Sequence, residues 1–449
     1  MTSDEPIGIS DLRLYVPSPF MDLKVLVEQR VRLKPELSRH LERACRTTGQ
    51  TGMRYPEPWE DSATMAARAA YDLLGQGLDL QRLRHLVVGT ETAVDHSKPV
   101  SAYVQGMLQR AGLRLPNALS SFQTQHACAG GTMGLLSVAG MLASGGRPAD
   151  AGLVISSDVA RYATESTAEV TQGAGAVAML VERNPQLLSI DLSSVGYYSS
   201  DVDDFFRPLG SETARANGTY SMRCYWDSLQ AAFLDYCARR GVKPDEELAG
   251  IDLFALHTPF RSMPETALLK LFGKVLGYDE ERSRQVLAES GFAAGVDPIA
   301  RIGNIYTGSL YAVLAFLLAD RLRHLGDAIV GKKVLLASYG SGNTMVVFAG
   351  RVTPQAPQVM GRWNLGRVLD GARATSFEEY LAWTAGPVQP ELHARIMERA
   401  TLPAGSFVLA GIRKDGYREY EFKAEAEAGD RGAERSAPGD LHGPFAVYG

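Results

Sequence analysis

The sequence predicts an α/β protein built from two similar halves. Short apolar runs bounded by turn residues alternate along the chain with longer segments of helical periodicity, as in proteins where strands and helices alternate. The strand-like runs are apolar almost without interruption, which is typical of strands covered by helices on both faces. The same order of elements occurs twice, and this indicates a pseudo-duplicated architecture.

The first half is predicted to span residues 1–185. In it, a strand within RLRHLVVGTET ends near Glu91, and a turn of small residues at Cys128 then begins a helix. Two further strands follow at 152–158 and 175–182.

The second half, residues 186–352, repeats this order. The strand IDLFALHT ends at His257, a turn at Asn304 begins the helix YTGSLYAVLAFLLADRLRHL, and strands follow at 332–342 and 343–352.

Two segments fall outside this repeat. Residues 201–245 contain an irregular stretch that leads into a helix, and we expect an insertion over the site there. Residues 353–449 form a C-terminal extension, in which the charged stretch at about 424–442 has few large apolar groups and is expected to be a flexible tail.

The composition limits the class of protein. Hydrophobic residues make up 45% of the 449 positions and charged residues 22%, as in ordinary globular proteins of more than one core unit. The net charge of −5, with both signs interspersed, argues against a nucleic-acid partner. The longest apolar run, at 310–319, is too short to span a bilayer and predicts a buried helix, so no membrane partner is expected.

The cysteines and the N-terminal sequence indicate a cytoplasmic setting. The four cysteines form no C-x-x-C pair and no zinc-ligand spacing, which favours free thiols and no bound metal. The opening MTSDEPIGISDLRLY lacks the basic and apolar segments of a signal peptide.

Four polar residues are expected to meet where strand ends and helix starts converge. Cys128, before two glycines at a predicted helix start, would have its thiolate stabilised by the helix dipole, although a buried structural cysteine is equally compatible. Glu91 would have a raised pKa if buried, as a general base needs, or would be a surface carboxylate. His257 lies before a proline at the rim of the sheet or is a structural histidine. Asn304 could donate to a carbonyl or be only a helix N-cap.

The loop SYGSGN at 338–343 lacks the lysine of a phosphate-binding P-loop. It predicts a tight turn between two strands, with backbone amides that could face a substrate. No G-x-S-x-G motif is present, which argues against a serine hydrolase.

Over most of residues 5–350, the chain resembles the hydroxymethylglutaryl-CoA synthase family of the thiolase superfamily. The motifs that carry the resemblance are TTGQTGMRYPEPWEDSATMAARAA, GTETAVDHSKPVSAYVQGML, HACAGGTMGL, SSDVARYA, TQGAGAVAML, HTPF, GNIYTGSLY and SYGSGN. This resemblance implies a thiolase-like fold in which the two halves form a five-layer αβαβα sandwich. It also implies a homodimer.

The resemblance assigns roles to the polar residues. It implies that Cys128 takes an acetyl group from a thioester and that Glu91 removes a proton from the acetyl methyl group. The carbanion equivalent then attacks the β-carbonyl of a 3-oxoacyl thioester held by His257 and Asn304, and water releases a 3-hydroxy-3-methylglutaryl-type product. No metal or redox cofactor is implied. Further residues are expected to line the substrate pocket: Tyr162, Ser341, Gly342 and Arg261.

The carrier of the substrates stays open at this point. Many mevalonate-pathway members have lysines after the histidine motif, whereas RSMPETALLK offers Arg261 and then nothing basic before Lys270. HTPF and QHAC are similar to the subgroup that makes β-branches in polyketide biosynthesis on acyl carrier proteins, while TQGAGAVAML and GNIYTGSLY resemble the mevalonate-pathway enzymes. Thiolase or ketosynthase chemistry, and an inactive scaffold, are the remaining alternatives.

Overall fold

The computed structural model describes residues 5–385 and 390–424 of the chain, apart from the side chain of Arg399. The tail predicted at 424–442 lies outside the described residues except for its first position.

The described strands are β1 Ile7–Tyr15, β2 Pro19–Asp22, β3 Gly52–Arg54, β4 Leu83–Gly89, β5 Ser120–Thr124, β6 Ala151–Ala160, β7 Gly173–Arg183, β8 Leu188–Ile190, β9 Gly196–Ser199, β10 Phe205–Phe206, β11 Arg215–Ala216, β12 Leu253–Leu256, β13 Lys333–Gly340, β14 Thr344–Val352, β15 Arg373–Ala374, β16 Ser406–Ile412 and β17 Arg418–Lys423. The described α-helices are α1 Leu23–Leu33, α2 Ser38–Thr48, α3 Ser62–Leu74, α4 Val100–Arg110, α5 Gly130–Gly145, α6 Gly218–Arg240, α7 Pro244–Ala249, α8 Ser262–Leu276, α9 Glu280–Ser290, α10 Phe292–Val296, α11 Ile299–Ile302, α12 Ser309–Leu325, α13 Ala356–Met360, α14 Leu365–Asp370, α15 Phe377–Thr384 and α16 Pro390–Arg399.

Ten of the described strands form one mixed sheet. Its order is β12-β13-β14-β8-β1-β7-β6-β4-β5, and β9 also pairs with β14. The short strand β8 pairs with β1 of the first half and with β14 of the second, so it joins the strands of the two halves edge to edge.

Helices cover both faces of the first-half strands, which explains why those strands are apolar throughout. In β6, Leu153 and Ile155 belong to the core beneath α3 and α4, whereas Val154 between them packs with residues of α5. This alternation follows from the two-residue repeat of a strand. Both sets of side chains are therefore buried.

The second half repeats the arrangement, and the central helices of the two halves meet. Helix α6 packs on β9 and β14, and α12 packs on β12 and β13. Helices α5 and α12 touch through a hydrogen bond of 2.7 Å between the Thr132 and Tyr311 hydroxyls. The five layers expected from the sequence follow one another in this order: α3 and α4, the first-half strands, α5 and α12, the second-half strands, and α6.

The strands and helices predicted around the site are confirmed. Strands β4, β6, β7, β12, β13 and β14 lie where the apolar runs predicted them, and β13 and β14 are joined by the tight turn expected in SYGSGN. Within 201–245, the irregular part is limited to residues before α6, while α6 itself packs against the core. The domain limits at 185 and 352 stay predictions.

One stretch, Ala127–Gly145, is long and apolar enough by length and composition to cross a membrane. It contains helix α5, and 56% of its most apolar window is buried inside the protein, as in a core helix.

Candidate active site

A cavity of about 460 Å³ opens where the two halves meet. Its lining includes most of the expected site residues: Cys128, His257, Asn304, Tyr162 and Ser341. Glu91 lies directly behind Cys128, with 3.8 Å between the Cys128 Sγ and the Glu91 Oε2. The structure therefore brings together the four polar residues that the sequence placed at strand and helix ends.

Two of the expected pocket residues are placed differently. Gly342 follows Ser341 and holds the turn, since its N–H donates to the Asp204 Oδ1 at 2.9 Å. Arg261 is absent from the cavity lining. Its guanidinium pairs with Glu265 and with Asp297, the latter at 2.9 Å, so its charge is used within the fold.

Cys128 lies on a strained turn just before helix α5. The helix begins at Gly130, and the preceding Ala127 has a φ of 42°, in the left-handed region that a residue with a side chain rarely adopts. Strand β13 closes over this turn at Gly340, where an added Cβ would lie 2.4 Å from the His126 carbonyl oxygen. The thiol is thus presented at a fixed position on the cavity floor.

The prediction that the helix dipole stabilises the Cys128 thiolate was wrong. Burial raises the pKa of the thiol well above its usual value, and the nearby carboxylates Glu91 and Asp158 raise it further. The thiol is 7% exposed, so desolvation outweighs the stabilisation expected from the start of the helix. The resting cysteine is therefore a neutral thiol that donates to Glu91.

The raised pKa that was predicted for a buried Glu91 is confirmed. Burial raises the pKa of this carboxyl to about 8, and the neighbouring Asp158 contributes in the same direction. Arg207 and the hydrogen bond from Cys128 pull the pKa back. A carboxyl that titrates near neutrality can both take up and release a proton during a reaction.

Asp158, at the end of β6, connects the site residues of the two halves. Its Oδ1 accepts hydrogen bonds from the Thr90 hydroxyl at 3.0 Å, the Glu91 N–H at 2.8 Å and the Thr92 N–H at 3.0 Å. Its Oδ2 accepts from the Thr307 N–H at 3.1 Å. Asp158 was not predicted as a site residue, although a carboxylate that ends the apolar run AGLVISSD is an available signal.

Asn304 lies in the turn that leads into α12 and is not the N-cap of that helix. Its Oδ1 accepts from the Tyr306 N–H at 2.8 Å and from the Ser309 hydroxyl at 3.1 Å, at the start of the helical segment that leads into α12. Because a backbone N–H can only donate, this contact fixes the orientation of the amide. The side-chain NH₂ group is then the part of Asn304 that is available to donate to a ligand.

His257 is a buried, neutral imidazole. Its backbone is tied by its N–H to the Ala337 carbonyl at 2.8 Å and by its carbonyl to the Tyr225 hydroxyl at 2.7 Å. The ring Nδ1 is buried without a hydrogen-bond partner among the described residues, and burial lowers the pKa of the ring to about 3. The residue also lines the cavity, so the ring is placed to meet a polar group of a substrate.

Three aromatic rings enclose the thiol on one side. Tyr162, Phe205 and Tyr306 pack edge to face, with ring centroids 5.9–6.4 Å apart, in one cluster with Cys128. Tyr306 has a φ of 41°, in the left-handed region that a residue with a side chain rarely adopts. Phe205 and Tyr306 were not predicted as site residues. Such a wall excludes water from the space above the thiol, which strengthens electrostatic interactions there.

Asp204 holds the turn that carries Ser341. This fully buried carboxylate accepts from the Tyr339 hydroxyl at 2.7 Å and from the Ser221 hydroxyl at 3.1 Å, in addition to the Gly342 N–H. It comes from the irregular stretch before α6 and was also missed from sequence. Three separate parts of the chain therefore fix the lip of the cavity.

Together, the fold and these side chains are those of an acyl-transferring enzyme that forms carbon–carbon bonds. A cysteine nucleophile, a carboxyl of raised pKa and two polar groups for a carbonyl are the parts needed to form a carbanion equivalent and add it to a second substrate. The family profiles for hydroxymethylglutaryl-coenzyme A synthase match residues 4–186 (N terminal) and 294–422 (C terminal). The chain belongs to the hydroxymethylglutaryl-CoA synthase family.

Individual relatives agree with this assignment. The hydroxymethylglutaryl-CoA synthase of Enterococcus faecalis is 30% identical over 386 residues, which cover 86% of this chain and 93% of that protein. The polyketide biosynthesis 3-hydroxy-3-methylglutaryl-ACP synthase PksG of Bacillus subtilis is 30% identical over 72% of this chain and 76% of its own length.

The solved structure of MvaS in complex with 3-hydroxy-3-methylglutaryl coenzyme A superposes with a TM-score of 0.81 at 34% identity, covering 94% of this chain and 100% of that one. The thiolase-like fold predicted from the sequence is confirmed by this similarity.

Proposed function

We propose that the protein joins an acetyl group carried on Cys128 to the β-carbonyl of acetoacetyl-CoA, or of another 3-oxoacyl thioester, and releases a 3-hydroxy-3-methylglutaryl-type thioester. The observation that carries this proposal is the contact of 3.8 Å between the Cys128 Sγ and the Glu91 Oε2 at the floor of a cavity that His257 and Asn304 also line. A nucleophile and a base are thereby directed at the same small volume.

The first step is acetyl transfer. The Cys128 sulfur attacks the carbonyl carbon of the donor thioester, the donor's carbon–sulfur bond breaks, and the proton of the thiol ends on the departing carrier thiol. Because the resting thiol is neutral, its proton must move as the bond forms, and the carboxylate of Glu91 in contact with it is placed to relay that proton.

The second step is condensation. Glu91 takes a proton from the methyl group of the acetyl-cysteine, and the resulting carbanion equivalent attacks the β-carbonyl carbon of the acceptor. The oxygen of that carbonyl takes up a proton to become a tertiary hydroxyl. The neutral His257 ring and the Asn304 amide, whose oxygen is held by the backbone, are placed to bind and polarise this carbonyl.

The last step is hydrolysis of the enzyme thioester by water, which restores the Cys128 thiol and leaves a carboxylate on the product. We propose that no metal or redox cofactor takes part, because every bond made or broken is assigned to a side chain, a substrate or water. The thiols of all four cysteines are free. This supports the further proposal of a reducing, cytoplasmic setting.

The carrier is proposed to be CoA, with acyl carrier protein as the alternative. Helix α2 contributes His40, Arg43, Thr47 and Thr48 to the cavity lining. Arg43 is exposed and forms no ion pair with any described residue, so it is free to meet a phosphate group. Phosphate occurs on both carriers, and the similarity to the ACP synthase of Bacillus subtilis supports the alternative.

We also propose that two copies of the chain associate through β5. This strand pairs only with β4 in the described part of the chain and is therefore an edge of the ten-stranded sheet. Beside it, Met133 and Met141 of helix α5 are more than a third exposed. An unpaired strand next to exposed methionines is a surface that a second copy would cover. Sedimentation equilibrium would give a dimer mass, and a monomer across micromolar concentrations would contradict this.

Intact-protein mass spectrometry tests the function directly. The protein is mixed with acetyl-CoA or with acetylated acyl carrier protein, and an acetyl adduct is expected on the wild type but no thioester adduct on Cys128→Ser. Glu91→Ala should become acetylated more slowly, because it lacks the proton relay, and should then fail to condense after acceptor is added. Absence of an adduct from either donor would count against the proposal, and a preference between donors decides the carrier.

A further inference from the structure

The C-terminal extension reaches the cavity wall through helix α15. Tyr380 in this helix is fully buried, and its hydroxyl donates to the Glu169 Oε1 at 2.8 Å and accepts from the Gln172 Nε2 at 2.7 Å. The Gln172 Oε1 in turn accepts the backbone N–H of Tyr162 at 2.8 Å. One hydroxyl outside the cavity therefore orients the side chain that holds the backbone of a cavity residue.

The segment that carries Glu169 and Gln172 also holds the other side of the site. Between them, the carbonyl of Thr171 accepts the backbone N–H of Asn304 at 3.0 Å, and Thr171 itself lines the cavity. A displacement of this segment would consequently move Tyr162 and Asn304 together.

A buried ion pair fixes the far end of the segment. Glu169 is 0% exposed and Arg30 of helix α1 is 4% exposed, and they meet at 2.6 Å. The second oxygen of Glu169 accepts the Glu165 N–H at 2.6 Å. With Glu169 held in this way, the Tyr380 hydroxyl has one direction for its proton, so its lone pairs face the Gln172 amide. The Gln172 oxygen is then turned toward the Tyr162 N–H.

We propose that Tyr380 is a positioning residue for the condensation, acting through Gln172 on Tyr162 and through the shared segment on Asn304. The inference rests on the proposed function, because the wall that it positions faces the acetyl-cysteine. Loss of the Tyr380 hydroxyl leaves the Gln172 Nε2 with the Met53 sulfur, a weak acceptor at 3.7 Å, in place of a hydroxyl at 2.7 Å. The amide can then rotate and leave the buried Tyr162 N–H unsatisfied.

The test compares Tyr380→Phe with Tyr55→Phe. Tyr55 belongs to the same buried cluster, its ring centroid lies 5.9 Å from that of Tyr380, and its hydroxyl bonds to neither Gln172 nor Glu169. For Tyr380→Phe, kcat is expected to fall about tenfold while KM for the acceptor changes by less than about twofold, since the reacting groups are misaligned rather than removed. Tyr55→Phe should keep the wild-type kcat.

Two further measurements separate positioning from a general loss of structure. Gln172→Ala should lower kcat to a similar extent, and adding Tyr380→Phe to it should have a smaller effect than Tyr380→Phe has alone, because both variants break the path to Tyr162 and only the Tyr380–Glu169 hydrogen bond remains to be lost. Amide hydrogen exchange of the peptide that contains Tyr162 should become faster in Tyr380→Phe and stay unchanged in Tyr55→Phe.

Equal losses of kcat in the two Tyr→Phe variants, additive losses in the double variant, or unchanged exchange at Tyr162 would each overturn the inference. Failure of the proposed function has a different signature, since the wild type would then form no product from either donor. The hydrogen-exchange measurement needs no substrate, so in that case it still shows whether Tyr380 holds the Tyr162 backbone through Gln172.

Discussion

The condensation rate should rise with pH through the titration of Glu91. Burial raises the pKa of this carboxyl to about 8 in the free protein. At pH 7 about one molecule in ten would then hold the basic carboxylate, and at pH 9 about nine in ten, so kcat/KM for the acceptor should increase about tenfold over this range. The rate rises with pH because Glu91 must be deprotonated to remove the proton from the methyl group.

Acetylation should move this titration slightly upward. The Cys128 thiol donates to Glu91 and lowers its pKa, and that hydrogen bond is lost when the sulfur carries an acetyl group. The appropriate assay isolates acetylated enzyme, adds acceptor at each pH and follows one turnover by quenched mass spectrometry. Glu91→Ala serves as the control and should show no such rise. A wild-type rate that is flat or falls between neutrality and pH 9 would refute the assignment of Glu91 as the base.

Three other variants test separate features of the site. Glu91→Gln should raise the free energy of unfolding on the order of 1–3 kcal/mol at pH 9, measured by urea denaturation. The reason is that the pKa of the Glu91 carboxyl is higher in the folded protein than in the unfolded chain. The carboxyl therefore contributes stability that is fully present below its unfolded-state pKa and is lost as the pH rises through its folded-state pKa. Gly340→Ala should cost about 1–3 kcal/mol and slow the acetylation of Cys128, because its Cβ would meet the His126 carbonyl, and wild-type acetylation would contradict that contact. Arg261→Ala should lower stability by less than about 1 kcal/mol and leave KM for the acceptor unchanged, since its guanidinium is paired with Glu265 and Asp297; a large rise in KM would restore its predicted place in substrate binding.

Much of the architecture could be predicted because hydrophobic periodicity is a local property of the chain. The apolar runs located the strands that end near Glu91 and at His257, and the small residues after Cys128 located the start of α5. The repeat of this order in the second half placed Asn304 beside them. Each of these conclusions needed only neighbouring residues and the rule that strand ends converge.

The parts that could not be predicted depend on groups distant in sequence. Burial raises the pKa of the Cys128 thiol first of all, and Glu91, Asp158 and Asp204, which are distant from it in sequence, raise it further. Arg261 was expected in the pocket, but Asp297 lies within 2.9 Å of it only after folding. The role of Asp158 likewise arises from partners in both halves, which no local pattern reveals.

The hairpin β16–β17 has a consequence for biosynthesis. Its Phe407, Leu409 and Tyr420 are buried in the core beneath α3 and α4, and the Tyr420 hydroxyl donates to Asp61 at the start of α3. The outer layer of the first half is therefore completed by residues that the ribosome adds after the whole second half. At about 5–20 residues per second, the emerging first half keeps this apolar surface uncovered for on the order of ten seconds or more. During that interval the nascent chain is expected to need protection from aggregation, and a chain cut before Ser406 should expose that surface permanently.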